Sequence, residues 1–126
     1  MTKNSITIVT STIFNKTEQT HSNLSNKLID FIRTKSENPT QRFGSSDYQF
    51  TSDAPLGGKL KLSHAHLSQD VCVVYRIKGK PPTLYLFGLF SHKELGTGNT
   101  ANIKLQKSMH DIFKNQFPDL SEDEEN

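Results

Sequence analysis

The rhythm of apolar and polar positions changes several times along the chain, and each rhythm predicts an element. Ser5 to Phe14 alternates apolar and hydroxyl residues and is rich in β-branched types, which predicts a first strand. Thr20 to Ser22 offers capping hydroxyls. Leu24, Leu28, Phe31 and Ile32 then fall on one helical face, and Pro39 closes the segment. Thr40 to Gly58 is polar and carries Gly44, Pro55 and the Gly57-Gly58 pair. It reads as a long connection, with room for a short strand at Tyr48 to Thr51. Lys59 to Leu67 alternates again as a strand, Ser68 to Asp70 turns, and Val71 to Lys78 forms the next strand. Gly79-Lys80-Pro81-Pro82 breaks it. Thr83 to Ser91 is nearly all apolar, as a strand buried on both faces must be. After a glycine-containing loop from His92 to Thr100, Asn99 or Thr100 caps a last helix. Its apolar face holds Leu105, Met109, Ile112, Phe113 and Phe117, and Pro118 ends it. The order predicts an α+β fold, an N-terminal strand plus a three-strand antiparallel meander, flanked by an N-terminal and a C-terminal helix. No stretch repeats. Residues 1–120 read as one domain and 121–126 as an acidic disordered tail.

Composition narrows the class. The 126 residues include no Trp and only 33% hydrophobic types, so the core must come from those few apolar runs. No run reaches the roughly 18 residues that span a bilayer. Met1 to Ile13 lacks a charged segment followed by an apolar one, so no secretory signal is expected, and the setting is cytoplasmic. The single cysteine, Cys72, lies between Val71 and Val73 and reads as a buried thiol suited to a reducing compartment. It cannot found a cysteine metal cluster. The net charge of +2 conceals an asymmetry. Glu122, Asp123, Glu124 and Glu125 crowd the end, and residues 1–120 carry fifteen basic against nine acidic residues. A body this basic attracts polyanions, although many basic proteins bind no nucleic acid.

The candidate chemistry lies in the second half. His64 and His66 stand two apart in an expected strand and share a face. His92 follows the apolar strand where a loop begins, and Asp70 sits in the turn between the two preceding strands. Lys59, Lys61, Arg76 and Lys93 surround them in sequence. RNA cleavage needs a base for the ribose 2′-hydroxyl, an acid for the departing 5′-oxygen and a cation for the phosphorane. Histidine serves both proton transfers, Lys or Arg the third, and the RNA supplies its own nucleophile. The plainer reading stands beside this one. A strand histidine is more often an ordinary core or surface residue, and Asp70 is more often a turn residue. In a regular strand Lys59 and Lys61 alternate onto the face opposite His64 and His66. Tyr48 and Phe50 can stack on bases, whereas Phe90 has a core role by default. Gly96 and Gly98 match no phosphate-cradling loop.

These same residues carry a family likeness. His64-Ala65-His66-Leu67, then Asp70, then Val73-Val74-Tyr75-Arg76-Ile77, then Ser91-His92-Lys93-Glu94-Leu95 resembles the RelE superfamily of type II toxin–antitoxin ribonucleases. Within it the YafO-like branch also has a His-x-His strand, a later His-Lys and an Asn-containing linker into an amphipathic helix. Here these would be Asn99, Asn102, Lys104 and the face running to Phe117; Phe43-Gly44 fits that branch too. The YafQ-like branch resembles the stretch from His66 through Asp70 to Tyr75 and the Ser91-His92 step. The likeness covers about residues 40–117. It departs from the YafQ-like pattern at Val71 and Gly96, where that pattern has aromatics.

The resemblance implies a small antiparallel sheet flanked by helices. It also implies a ribonuclease that needs no metal or other cofactor, enters the ribosomal A site and cuts mRNA there, and an antitoxin that silences it. The oligomeric state of the free toxin stays open, with a monomer favoured. His66 and His92 would transfer protons, His64 would assist and Asp70 would orient a histidine. Lys61, Arg76, Lys93 and Lys59 would contact phosphates. Two other classes remain open. One is a non-catalytic basic module that docks on RNA, the ribosome or a protein. The other is a metalloprotein using His64, His66, His92 and Asp70.

Overall fold

The structure, a computed structural model, describes residues 6–44, 47–50, 54–58, 60–79, 81–95, 102–118 and 120. The elements are β1 (Thr7–Thr10), α1 (Thr12–Thr20), a 3-10 turn at Ser22–Leu24, α2 (Ser25–Glu37), β2 (Tyr48–Gln49), β3 (Ser63–His66), β4 (Val71–Lys78), β5 (Thr83–Ser91), α3 (His92–Leu95) and α4 (Ile103–Gln116). The fold is α+β, with one five-stranded sheet in the order β1-β5-β4-β3-β2.

The apolar runs Val71 to Lys78 and Thr83 to Ser91 form strands with the expected bounds, and β2, β3, β4 and β5 pair antiparallel as a meander. The N-terminal strand joins differently from a purely antiparallel sheet. β1 pairs parallel with β5, from Thr7 opposite Thr83 to Thr10 opposite Leu86. α1 and α2 separate β1, at one edge, from β2 at the other, and the meander then walks back to β1.

The expected strand through Phe14 stops at Thr10, and α1 begins inside it. Ser11 is the reason. Its hydroxyl oxygen accepts from the Phe14 N–H at 2.9 Å, the cap that starts a helix. The same hydroxyl donates to the Phe87 carbonyl at 2.7 Å. The β4–β5 register passes from Val74 opposite Gly88 to Tyr75 opposite Leu86, skipping Phe87 as a bulge. Ser11, 1% exposed, thus bonds the carbonyl of the residue that this pairing skips. The helical segment expected from Thr20 onward is also split, by the 3-10 turn, before α2 begins.

Each sheet face has its own core. On one side Phe14, Leu28 and Phe31 of α1 and α2 pack on Ala65, Val73, Tyr75, Leu84 and Leu86. On the other, Met109 and Phe113 of α4 pack on Leu62, Cys72, Val74, Phe87 and Phe90. The cap of α4 is Asn102, whose side chain accepts from the Leu105 N–H at 3.1 Å. Asn99 and Thr100, expected there, lie outside the described residues. Of the expected apolar face of α4, Ile112 is instead exposed. β3 is shorter than Lys59 to Leu67 because Lys61 takes φ 53°, a left-handed backbone that cannot continue a strand. Lys59 and residues 121–126 lie outside the described residues.

A buried ionic knot holds the long connection between α2 and β2. Lys35 Nζ meets Asp47 Oδ2 at 2.7 Å, with both side chains 3% exposed. Lys35 also donates to the Gln41 carbonyl, and Asp47 accepts from the Phe43 N–H and the Tyr75 hydroxyl. Burial and the Asp47 carboxylate push the Tyr75 phenol well above its ordinary range, so it stays a donor. Asp47 is thereby fixed one residue before β2 begins.

Candidate active site

His64 and His66 belong to β3, whose inward residue between them, Ala65, packs into the α1–α2 core. Alternation therefore turns both imidazoles to the α4 side of the sheet. In register, His66 stands opposite Cys72 and Cys72 opposite Phe90. β5 ends at Ser91, and His92 opens α3. The His66 and His92 rings meet edge to face with centroids 5.4 Å apart. Both are half-buried, so the pair is packed on the protein yet reaches solvent.

His92 is held by its backbone on two sides. Its N–H donates to the Asp70 carbonyl, extending the β4–β5 ladder by one bond. The Ser91 N–H donates to Glu94 Oε1 at 2.8 Å while the Glu94 N–H donates to Ser91 Oγ at 3.0 Å. That reciprocal pair is a capping box, and it fixes the short turn of helix that presents His92 and Lys93.

His64 sits under an aromatic wall. Phe50 stacks on it with centroids 4.6 Å apart, and Tyr48, its cross-strand partner, lies at 6.4 Å. Burial lowers the His64 pKa below 6.5, and the nearby His66 and His92 lower it further. The Tyr48 backbone and, less strongly, the Asp47 charge work in the other direction. His64 is therefore neutral near pH 7. Its Nδ1 is buried without a hydrogen-bond partner among the described residues.

The structure thus brings His64, His66 and His92 together. Asp70 joins them through its main chain. Among the described residues its exposed carboxylate makes no hydrogen bond to a histidine. Lys93 is exposed beside His92, and Lys61 is exposed just before β3. Arg76 lies in β4 with Nη1 donating to the Leu60 carbonyl at 2.8 Å and the Leu120 carbonyl at 3.3 Å, tying the loop before β3 to the segment after α4. Lys35, Asp47 and the Ser91–Glu94 box did not emerge from the sequence as parts of the site. Only the last had a local signal, the Ser-x-x-Glu spacing. Among the described residues no group of three or more His, Cys, Asp or Glu is arranged to hold a metal ion. No helix among them is long and apolar enough to cross a membrane.

No family model matches the chain, and no curated protein matches it. Solved structures do. A metal-bound toxin from Helicobacter pylori is 28% identical, with 72% of this chain and 99% of that one covered and a TM-score of 0.52. A YoeB/ParE toxin from Agrobacterium tumefaciens is 16% identical, with 69% and 99% covered and a TM-score of 0.53. The α+β fold described above is one that such small toxins share.

Proposed function

We propose that the protein is the toxin of a toxin–antitoxin pair, a cytoplasmic endoribonuclease that cuts mRNA on the ribosome by acid–base catalysis. The observation that carries this reading is the His66–His92 pair, two imidazoles in contact and open to solvent on a rigid sheet. The Helicobacter toxin, nearly all of whose length is covered, supports the toxin role.

Cleavage through the ribose needs one neutral imidazole and one protonated one. The neutral ring takes the 2′-hydroxyl proton as O2′ attacks phosphorus. The protonated ring gives its proton to the 5′-oxygen as the P–O5′ bond breaks, leaving a 2′,3′-cyclic phosphate. His66 and His92 fill these roles. His64, neutral and held under Phe50, supports the pair from β3. Lys93, on the turn beside His92, meets the charge that builds on the non-bridging oxygens, with Lys61 and Lys59 as further phosphate contacts. Arg76, whose Nη1 is held by the Leu60 and Leu120 carbonyls, is a further phosphate candidate. The partner is an antitoxin that covers this face or displaces an element of it.

The test is induction in bacterial cells, scored by growth and by labelled amino-acid incorporation. The wild-type chain arrests both, whereas His66→Ala and His92→Ala, expressed to the same level, do not. Undiminished arrest by both variants would remove the histidines from the mechanism.

A further inference from the structure

We propose that Tyr48 and Arg42 form a stacking platform for one unpaired RNA base immediately beside the histidine cluster. The location relative to a scissile phosphate rests on the nuclease reading; the platform itself rests on its own geometry.

Tyr48 is 49% exposed, whereas Phe31, Phe87 and Phe113 are entirely buried, so folding does not account for where its ring lies. Its backbone is not free to wander. Tyr48 pairs with His64 across β2 and β3, and the residue before it is Asp47, locked to Lys35 and to the Tyr75 hydroxyl. Directly opposed residues of two strands share a face, so the Tyr48 ring stands on the side that bears His64 and His66. Its centroid is 6.4 Å from the His64 ring.

The Arg42 guanidinium carbon lies 5.1 Å from the Tyr48 centroid, over the ring. An exposed cation–π contact is weak, so a base can share or replace it. A guanidinium stacks on a base as an aromatic does, and its N–H groups also fork onto a phosphate. An aromatic face, a planar cation and a fixed backbone are the parts by which single-stranded RNA is held without reading its sequence. The neighbours, Gln49 and Arg42, are exposed and polar; a Tyr–Arg pair also suits a protein interface, and the abasic RNA of the binding test tells the two apart.

The probe is a short, fluorescein-labelled, single-stranded RNA with 2′-O-methyl riboses, which binds but cannot be cut, titrated at low salt and read by anisotropy. Tyr48→Ala is expected to weaken binding about 10-fold and Tyr48→Phe by less than about 2-fold, the range of one base–aromatic stack. Abasic substitution at a single position should weaken wild-type binding by a similar factor and leave Tyr48→Ala unaffected. Arg42→Ala should flatten the salt dependence by about one unit of slope. Unchanged melting temperatures establish that the exposed substitutions leave the fold intact.

Equal binding by Tyr48→Ala and wild type would overturn the platform. So would an equal loss on base-bearing and abasic RNA, or the absence of any binding by wild type. Cleavage assayed in parallel separates the two ideas. A base-dependent effect of Tyr48 in a protein that cuts nothing would keep the platform and drop the nuclease. Cleavage that depends on His66 with no role for Tyr48 would do the reverse.

Discussion

His66 and His92 meet edge to face at 5.4 Å although β4 separates the strand that carries one from the strand that leads to the other. At that level β4 contributes only the small, buried Cys72. The contact is built by register rather than by neighbourhood in sequence, and its parts can be disturbed one at a time.

Ser91 is the first. Ser91→Ala removes the acceptor for the Glu94 N–H and should cost about 1 kcal/mol of stability, as lost N-caps do. Because the same box aims His92, mRNA cleavage should fall by about 10-fold, more than its stability change explains. Ser91→Thr, which keeps the hydroxyl, should restore both. Urea melts and cleavage rates measured on the same preparations check this, and a fully active Ser91→Ala would show that the box does not position His92.

His64 makes stability depend on pH. Its folded pKa is depressed, chiefly by burial, while the unfolded chain titrates near 6.5. Below 6.5 the unfolded state takes up the proton first. Stability contributed at neutral pH is then lost as the pH falls from 6.5 toward the folded pKa. His64→Gln should flatten the unfolding free energy across this window relative to wild type, measured by urea titration at several pH values. Identical pH slopes would mean that His64 is not shielded from solvent.

Lys35 and Asp47 form a buried pair with few exposed atoms, so removing either partner strands the other. Lys35→Met or Asp47→Ala should each destabilise the protein by about 3–5 kcal/mol. Combining Lys35→Met with Asp47→Leu should recover only part of the loss, because the Phe43 N–H and the Tyr75 hydroxyl then lack their acceptor. Thermal melts settle the matter; a loss under about 1 kcal/mol would show that the knot is not stabilising the connection.

Cys72 is the fourth case. Burial pushes its thiol up to about 11, so little thiolate exists at pH 8. Alkylation by iodoacetamide should run about 100-fold slower in the native protein than in denaturant, where the thiol regains its ordinary acidity. Equal rates would place the thiol at the surface.

β4, β5 and the histidine trio were legible because each depends on short-range pattern: continuous apolar runs between breakers, and alternation within β3. The start of α1 was not. Ser5 to Phe14 reads as a strand by propensity, and the decision belongs to Ser11, whose hydroxyl meets the skipped Phe87 carbonyl from far along the chain. Tertiary bonding overrode local preference there. β3 lost its first residues to the positive φ of Lys61, which no neighbouring glycine announces at that position. Lys35–Asp47 was invisible because a charged residue in a helix and another in a polar loop ordinarily face water. Asp70 stands beside His92 and its carbonyl accepts the His92 N–H, and a residue type says nothing about which of its atoms will make the contact.

The measurement that bears most directly on the central claim is primer extension on a defined mRNA, incubated with purified protein that has first been stripped with EDTA and dialysed, with and without translating ribosomes in their usual magnesium buffer. Stripping matters because the similar Helicobacter toxin was solved with metal. The account predicts cuts at fixed codon positions in the ribosome-containing reaction, undiminished by the stripping and reduced at least about 100-fold by His66→Ala or His92→Ala, the usual contribution of a proton-transfer group. A folded protein that leaves the mRNA intact in both reactions, or one that cuts only after a transition metal is added back, would contradict it.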